Sequence, residues 1–383
     1  MPYYNVLDVV RIKSEVSLRE LESFETKAVG KEDIVIRCGS GPRFHPRFER
    51  KVLGGNSSLS YVEHLGSLGA TVRLIPGRIV KIEVNWLLKY SNAVLYVNVV
   101  EPILRLILAE KGFSLLHGAC LSRKDKAVLV SAPPDTGKTT TVLRCLDKHW
   151  FSFLSDDMTV IGRDLTVNKF PKPFTISAHT YNSMVADDLK LKGIKRKVKL
   201  KVKSLVHSRV GRRILRLVGE LNLPILTLNA IGQIVVKPPK VFVEDLVRGV
   251  TTQSSAQPVA ICLLRKGGEK IVAASPDVAL EELLLNSEDA FGFPPYSDIF
   301  RSLKLNGRRS ADILADEKAL LRKLVASVKC FYLYSDSRKW DVMVSKVMDD
   351  LLKPTSVSPP IAPTAMSSLP PPILRPESVL RTS

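Results

Sequence analysis

The chain of 383 residues has 57 Lys and Arg against 38 Asp and Glu, a formal net charge of +19, and 45% of its residues are hydrophobic. This composition indicates a globular protein and excludes a wholly disordered, collagen-like or disulfide-dense chain. The five cysteines are scattered and form no Cys-x-x-Cys pair, so we expect no zinc site and no disulfide framework. A reducing, cytoplasmic location is favoured.

No targeting or membrane-spanning segment is predicted. The amino terminus lacks the basic start and apolar run of a signal peptide. The apolar stretches 93–100 and 103–109 are interrupted by polar residues and are shorter than the roughly 20 residues that a spanning helix needs. We therefore do not expect this chain to be an integral membrane protein.

Residues 1–110 are expected to form a small β-rich domain. Short runs of strand-forming residues alternate with Gly, Pro, Asn and Ser clusters, and they predict strands at 34–38, 70–75, 80–84 and 93–97. A helix is predicted over 99–111, with Gly112 as its stop signal.

Residues 111–352 alternate apolar runs with helical periodicity, which predicts an α/β domain. The expected strands are 127–130, 150–154 and 331–334, together with a hairpin formed by 259–264 and 270–274. The expected helices are 138–148, 278–285, 318–328 and 340–352. Residues 353–383 contain eight prolines and little apolar content, so we expect a disordered tail.

The stretch 132–139, Ala-Pro-Pro-Asp-Thr-Gly-Lys-Thr, matches a phosphate-binding loop between a predicted strand and a predicted helix. Backbone amides in such a loop hold phosphate oxygens, and the helix amino terminus adds positive potential. Lys138 is expected to pair with the β and γ phosphates, and the Thr139 hydroxyl to bind Mg²⁺. The bland alternative is an ordinary helix start after a turn. The expected nucleotide-binding residues are Asp135, Thr136, Gly137, Lys138, Thr139 and Thr140.

Asp156 and Asp157 follow a predicted strand, 17 residues after Thr139, and are expected next to the phosphate loop. Because consecutive strand side chains point opposite ways, the two carboxylates are expected to divide roles. Asp156 is interpreted as the base that faces an incoming hydroxyl, and Asp157 as a Mg²⁺ ligand together with Thr139. Either aspartate could instead cap a helix or a turn, and His117, before the loop strand, could be structural.

Taken together, the segments Leu-His-Gly-Ala at 116–119, Gly-Lys-Thr-Thr at 137–140 and Leu-Ser-Asp-Asp at 154–157 resemble the HPr kinase/phosphorylase-related branch of the phosphoenolpyruvate carboxykinase-like P-loop superfamily. The Pro-rich stretch 169–174 is similar to an element that follows the aspartates in that family. The resemblance is firm over 113–176 and faint over 256–352. It implies a P-loop kinase core, ATP and Mg²⁺ as cofactors, and His117 and Asp156 beside the transferred phosphate, with Lys138 as a catalytic cation and Asp157 as the second aspartate.

Residues 190–216 contain twelve Lys or Arg and no acidic residue, so most of the surplus charge lies in one segment. Three interpretations remain open. The segment is a solvated strand and lid helix, it docks an acidic or phosphorylated partner or the nucleotide, or it meets nucleic acid or an anionic membrane surface. Its lack of Phe, Trp and Tyr disfavours single-stranded nucleic acid.

The function expected from these features is transfer of the γ-phosphoryl group of ATP to a hydroxyl of a protein serine or a small molecule. Two alternatives from other classes are a non-catalytic nucleotide sensor or scaffold and a nucleic-acid-directed P-loop ATPase. The sequence names neither the phosphoacceptor nor the donor among ATP, ADP and pyrophosphate.

Overall fold

The computed structural model describes residues 1–27, 30–39, 49–55, 58–65, 67–134, 136–175, 224–235 and 240–353. The basic segment 190–216, Asp135 and the predicted tail beyond residue 353 lie outside these ranges. The described chain is a mixed α/β protein with two large sheets, which confirms the predicted α/β class.

The first sheet has eight strands, β1 Tyr3–Val6, β2 Val10–Ser14, β3 Glu25–Thr26, β4 Ile34–Cys38, β5 Glu49–Gly55, β6 Ser58–His64, β7 Thr71–Ile75 and β8 Val80–Val84, with a 3-10 helix at Arg19–Phe24. Their order in the sheet is β3-β1-β2-β4-β8-β7-β6-β5. The strands β2, β4 and β8 run parallel, and the other pairs are antiparallel. Three of the four strands predicted in this region are confirmed, namely β4, β7 and β8.

Two helices follow this sheet, α1 at Trp86–Tyr90 and α2 at Asn92–Glu110. The strand predicted at 93–97 is wrong, because these residues form the start of α2, which contains a π turn at Tyr96–Val100. A short apolar run does not distinguish a buried strand from a buried helix. The predicted stop at Gly112 fits its left-handed backbone, with φ of +80°.

Helix α2 has the length and mean hydropathy, 19 residues and 1.5, of a membrane span, although the sequence predicted none. Within the fold, however, 83% of its most apolar stretch is buried, as in the core helix of a folded domain. It is the one helix of this kind within the described ranges.

The strands after α2 are β9 Ser114–His117, β10 Ala119–Arg123, β11 Lys126–Ser131, β12 Ser152–Ser155, β13 Met158–Ile161, β14 Val167–Asn168, β15 Phe174–Thr175, β16 Lys240–Val241, β17 Ser255–Arg265, β18 Lys270–Ala274, β19 Lys304–Leu305, β20 Arg308–Arg309 and β21 Lys329–Tyr334. Of these, β15 pairs with β16 and β19 with β20, and the other nine form the second sheet. The main part of this sheet follows the order β12-β10-β11-β17-β21-β18, in which β11, β17 and β21 are parallel. The start of β17 also pairs with β14, which leads through β13 to β9.

Helices cover both faces of this sheet. Val128 and Val130 of β11 belong to an apolar cluster with α3 and α9, whereas Leu129 belongs to a cluster with α6 and α8. This alternation along β11 produces a three-layer arrangement of helix, sheet and helix. The helices are α3 Lys138–Lys148, α4 Ile225–Val235, α5 Val243–Leu246, α6 Pro276–Phe291, α7 Tyr296–Ile299, α8 Ser310–Ser327 and α9 Trp340–Leu352, with a 3-10 turn at Phe300–Ser302.

The predicted hairpin between 259–264 and 270–274 is wrong, although both strands exist. Strand β21 lies between β17 and β18 and pairs parallel with the first and antiparallel with the second. The turn signal at 265–269 is therefore real, but the partner of both strands comes from more than 50 residues later in the chain.

A further apolar cluster joins the first sheet to the rest of the protein. It contains buried residues of β1, β2 and β4, most of α2, and also Phe170, Phe291 and Ile313. The apolar core is thus continuous across residue 110, where the sequence predicted a domain boundary. Helix α2 consequently lies between the first sheet and the residues described next.

Candidate functional site

The predicted phosphate loop connects β11 with α3. Thr136 is buried, and its amide donates to the Pro133 carbonyl at 3.3 Å. Gly137 adopts φ of +126°, and a Cβ there would lie 3.3 Å from the ring of the buried Trp340. Only glycine fits this position without strain. Asp135 lies outside the described residues.

Helix α3 begins directly at Lys138. The first amide bonded back to the loop is that of Thr141, which donates to the Gly137 carbonyl at 2.9 Å. The amides of Lys138, Thr139 and Thr140 precede it, so they belong to the group of amides that an α-helix leaves without internal partners. This helix end therefore has the features of an anion-binding site.

The paired aspartates follow β12 and lie in a tight turn before β13. The Met158 amide donates to the Asp156 carbonyl at 2.9 Å, and Asp157 has a left-handed backbone with φ of +72°. The expectation that the two side chains point to opposite faces is wrong, because the pair lies in a turn and not on a strand. Both carboxylates contact residues at the start of α3.

Asp156 is the buried member of the pair, with 5% exposure. The Thr139 hydroxyl donates to its Oδ2 atom at 3.2 Å, while its Oδ1 atom has no hydrogen-bond partner among the described residues. Desolvation raises the pKa of Asp156 to about 6, with a further contribution from the neighbouring Asp157 charge. A buried carboxylate oxygen without a partner is costly, unless a cation or a donor is added.

Asp157 is the accessible member, with its side chain 49% exposed. Lys172 Nζ lies 3.0 Å from its Oδ2 atom, and Lys138 Nζ lies 3.7 Å from its Oδ1 atom. Desolvation alone would raise the pKa of Asp157, but Lys172 and Lys138 together hold this pKa well below its usual range. Asp157 is therefore ionised at neutral pH.

His117 ends β9, which pairs with β13 so that His117 lies opposite Met158. Its Nε2 atom is 3.4 Å from Lys138 Nζ, and its Nδ1 atom is 3.7 Å from Asp157 Oδ1. Since an ammonium group only donates, Nε2 must accept, and the ring proton belongs on Nδ1 towards Asp157. Burial, followed by the Lys138 charge, lowers the pKa of His117 to about 3, so the imidazole is neutral.

The sequence identified the Pro-rich stretch 169–174 but gave no role to Lys172, which the structure brings into the site. Its ammonium group contacts Asp157 and, at 2.6 Å, Glu101 Oε1 of α2. A usable signal was present in the sequence, because Lys172 is the one charged residue in the run Phe-Pro-Lys-Pro-Phe at 170–174. A cation in an otherwise apolar segment predicts a buried partner of opposite charge.

The structure thus brings together residues from the ends of β9 and β12 and from the start of α3, namely His117, Lys138, Thr139, Asp156 and Asp157. Thr136, Gly137 and Thr140 lie at the adjoining turn and helix start. No cluster of three or more His, Cys, Asp or Glu side chains able to hold a metal ion occurs within the described ranges. Mg²⁺ at nucleotide sites typically needs only one or two carboxylates in addition to substrate phosphates.

No protein-family model matches this chain, and no curated protein matches it either.

Proposed function

We propose that this protein is a Mg²⁺-dependent phosphotransferase of the HPr-kinase-related type, with a P-loop kinase core, that transfers the γ-phosphoryl group of ATP to a hydroxyl of a protein serine or a small molecule. One observation carries the proposal. Lys138 and Thr139, at the start of α3, contact a buried carboxylate, an ionised carboxylate and a neutral imidazole that come from other strand ends.

The helix start supplies the phosphate site. The amides of Lys138, Thr139 and Thr140 and the positive end of α3 favour the phosphate oxygens of a nucleotide. Lys138 adds a mobile charge that can move from Asp157 and His117 to the β and γ phosphates. His117 acts as a positioning residue, because its acceptor nitrogen holds Lys138 near the loop.

Thr139 and Asp156 fit a Mg²⁺ ion. The hydroxyl and the carboxylate are adjacent, and the buried Oδ1 atom of Asp156 has no partner among the described residues. The bound ion supplies positive charge that offsets the charge developing on the phosphates. This assignment exchanges the roles expected from the sequence, since Thr139 contacts Asp156 and the exposed carboxylate is that of Asp157.

Asp157 fits the acceptor side because it is half-exposed and ionised. In the reaction, the acceptor oxygen bonds to the γ phosphorus and the bond to the β–γ bridging oxygen breaks. The hydroxyl proton passes to the Asp157 carboxylate and from there to solvent, and the products are a phosphate ester and ADP. A loose transition state needs an oriented hydroxyl more than a strong base, so a low pKa is compatible with this role.

The test uses purified full-length protein, γ-labelled ATP with Mg²⁺, and a cell extract as the source of acceptors. Lys138→Ala should weaken ATP binding at least about 100-fold, as expected when a phosphate-binding charge is lost. Lys148→Ala removes an exposed lysine from the end of the same helix and should bind ATP normally. Equal ATP binding by wild type and Lys138→Ala would contradict the proposal.

The two aspartates separate the remaining roles. Asp157→Asn should keep ATP·Mg²⁺ binding and lose most transfer, whereas Asp156→Asn should raise the Mg²⁺ concentration needed for half-maximal binding. If wild type binds ATP and labels nothing, the protein is a nucleotide sensor. If hydrolysis occurs only with added nucleic acid, it is a nucleic-acid-directed ATPase. Parallel reactions with ADP and pyrophosphate identify the donor.

A further inference from the structure

Lys172 occupies a buried gap between the proposed site and α2. The residue is 6% exposed, yet its ammonium group contacts two carboxylates from distant parts of the chain, Asp157 and Glu101, at 3.0 and 2.6 Å. It also lies 5.4 Å from the centroid of the Tyr96 ring, a distance typical of a cation–π contact. All polar contacts described for this ammonium group are therefore with these two carboxylates.

The surrounding segment fixes where Lys172 lies. Phe170 and Phe174 are fully buried on either side of it, and the intervening prolines restrict the backbone. The Phe170 amide donates to the Leu154 carbonyl at 3.0 Å, so the segment runs beside the end of β12. Because Asp156 and Asp157 come immediately after β12, this anchoring keeps the Lys172 side chain close to the Asp157 carboxylate.

The charges around Asp157 suggest what Lys172 does. Lys138 lies near the Oδ1 atom of Asp157, and Lys172 lies near its Oδ2 atom. Under the proposed function, a bound nucleotide draws Lys138 towards its phosphates. Among the described residues, Lys172 is then the cation that still holds the Asp157 side chain. Its other contact is with Glu101 of the protein, so we expect Lys172 to stay in place when a nucleotide binds.

Glu101 provides that other side. It is 2% exposed and belongs to α2, directly after the π turn at Tyr96–Val100. A buried carboxylate is stabilised by a hydrogen-bonded partner of opposite charge, and its contact with Lys172 is the short one, at 2.6 Å. Since α2 shares its core with the first sheet, Glu101 connects that sheet to the site through a single lysine.

We propose that Lys172 is a positioning residue that holds Asp157 in the orientation required to receive the acceptor hydroxyl, and that Glu101 fixes Lys172 in turn. This inference rests on the proposed function, because Asp157 is there the residue that meets the acceptor. Lys172 itself touches neither nucleotide nor acceptor in this assignment.

The test compares Lys172→Met, Glu101→Gln and the control Lys169→Met. Lys169 belongs to the same Pro-rich stretch, but its ammonium group bonds to Thr252 and not to the site. Lys172→Met should lower kcat on the order of 100-fold, as expected for a misplaced catalytic group, with the KM for ATP within about twofold of wild type. Glu101→Gln should lower kcat by a smaller factor, and Lys169→Met should leave both values unchanged.

Two results would overturn the inference. One is a kcat for Lys172→Met equal to that of Lys169→Met. The other is a loss of ATP binding as large as the loss of kcat, which would show a purely structural role. Crystal structures of wild type and Lys172→Met with ADP add a readout that needs no activity. A displaced Asp157 carboxylate supports the inference, and an unmoved one contradicts it. Wild type that transfers nothing refutes the proposed function alone, since the crystallographic comparison still tests Lys172.

Discussion

Both large sheets contain three adjacent parallel strands, but they treat the polar groups at their strand ends differently. After β8 of the first sheet, the Asn85 side chain donates to the Gly69 carbonyl at 2.7 Å and accepts from the Thr71 amide at 3.4 Å. Beside β11 of the second sheet, Asp156 Oδ1 and His117 Nδ1 are buried without hydrogen-bond partners among the described residues. The Asn85 side chain is thus paired within the fold, whereas the two atoms beside β11 are left for a ligand to pair under the proposed function.

Paired and unpaired buried polar groups affect the free energy of unfolding differently. A saturated polar group stabilises the fold, and its removal leaves its former partners buried and unpaired. A buried carboxylate with a raised pKa does the opposite, since its charge is retained at a cost in stability. Substitutions at the two kinds of strand end should therefore change the free energy of unfolding in opposite directions.

The largest effect is expected for Gly137→Val, which should distort the predicted phosphate loop beside the unpaired polar groups of the second sheet. The side chain would have to accept φ of +126° and approach the Trp340 ring, whose nearest atom is 3.3 Å from the Cβ position. ATP affinity should fall at least about 100-fold, or roughly 2.7 kcal/mol, in titration calorimetry. Gly232→Ala is the control, since a Cβ at Gly232 in α4 meets nothing within 4 Å. Normal ATP affinity in Gly137→Val would show that this loop does not bind ATP.

Asn85→Ala tests the saturated strand end. Asn85 is 2% exposed, so the Gly69 carbonyl and the Thr71 amide would both lose a buried partner. The free energy of unfolding should fall by about 2 kcal/mol, measured by urea denaturation, because buried polar groups would be left unpaired. ATP affinity should be unchanged. A neutral effect on stability would mean that water satisfies these groups and that the two strand ends are alike.

Asp156→Asn should instead stabilise the protein at neutral pH. The pKa of Asp156 is raised from 3.8 to about 6, so the folded state binds this proton more tightly than the unfolded state. Its contribution to stability is therefore lost as pH rises from about 4 through 6. The variant should gain about 2 kcal/mol at pH 7, and the gain should vanish near pH 4. Urea denaturation at both pH values measures it.

Asp164→Asn is the matched control for that substitution. Hydrogen bonds from the Thr166 side chain and amide hold the pKa of this exposed carboxyl below its usual range. Its replacement should therefore give no gain at neutral pH. A gain of equal size in both variants would show that Asp156 is not specifically unfavourable.

The smallest effect is expected for His117→Gln, which keeps an acceptor for Lys138. The folded pKa of His117 is lowered from 6.5 to about 3, so only the unfolded state takes up this proton between those values. The stability contributed by neutral His117 is present above pH 6.5 and is lost as pH falls towards 3, by about 1.4 kcal/mol per pH unit. The variant should lose less stability than wild type between pH 6.5 and 5.5. Identical slopes would refute this assignment.

Much of the fold around the phosphate loop could be predicted because its signals are local. The helices at 138–148 and 340–352 have the predicted bounds, since strong periodicity coincides with clear start and stop residues. The strand that pairs with both β17 and β18 could not be predicted, because this strand, β21, is distant in sequence. Local turn chemistry specifies a chain reversal, but only the complete core decides which strand fills the gap.

In the candidate site, too, features with a local sequence signal were predicted, and contacts between distant parts of the chain were not. Lys138, Thr139 and the two aspartates were predicted from residue type and spacing, whereas a functional role for His117 was implied only by the family resemblance. Lys172 was not, because its contact with Glu101 joins positions 71 residues apart. The orientation of the two carboxylates was also predicted wrongly, since the left-handed backbone at Asp157 has no unambiguous sequence signal. Contacts that depend on tertiary packing therefore limit what the sequence reveals about this site.

The packing of Trp340 near Gly137, in the predicted phosphate loop, gives the protein an intrinsic fluorescent probe. The chain contains three tryptophans, and Trp86 and Trp150 are 50% and 90% exposed, whereas Trp340 is 1% exposed. Emission at short wavelength therefore arises from the one indole that touches the Gly137 region, while a soluble quencher reaches the other two. If the proposed function holds, adding ATP should change that quencher-resistant emission, and a fluorescence titration of unlabelled protein measures the change.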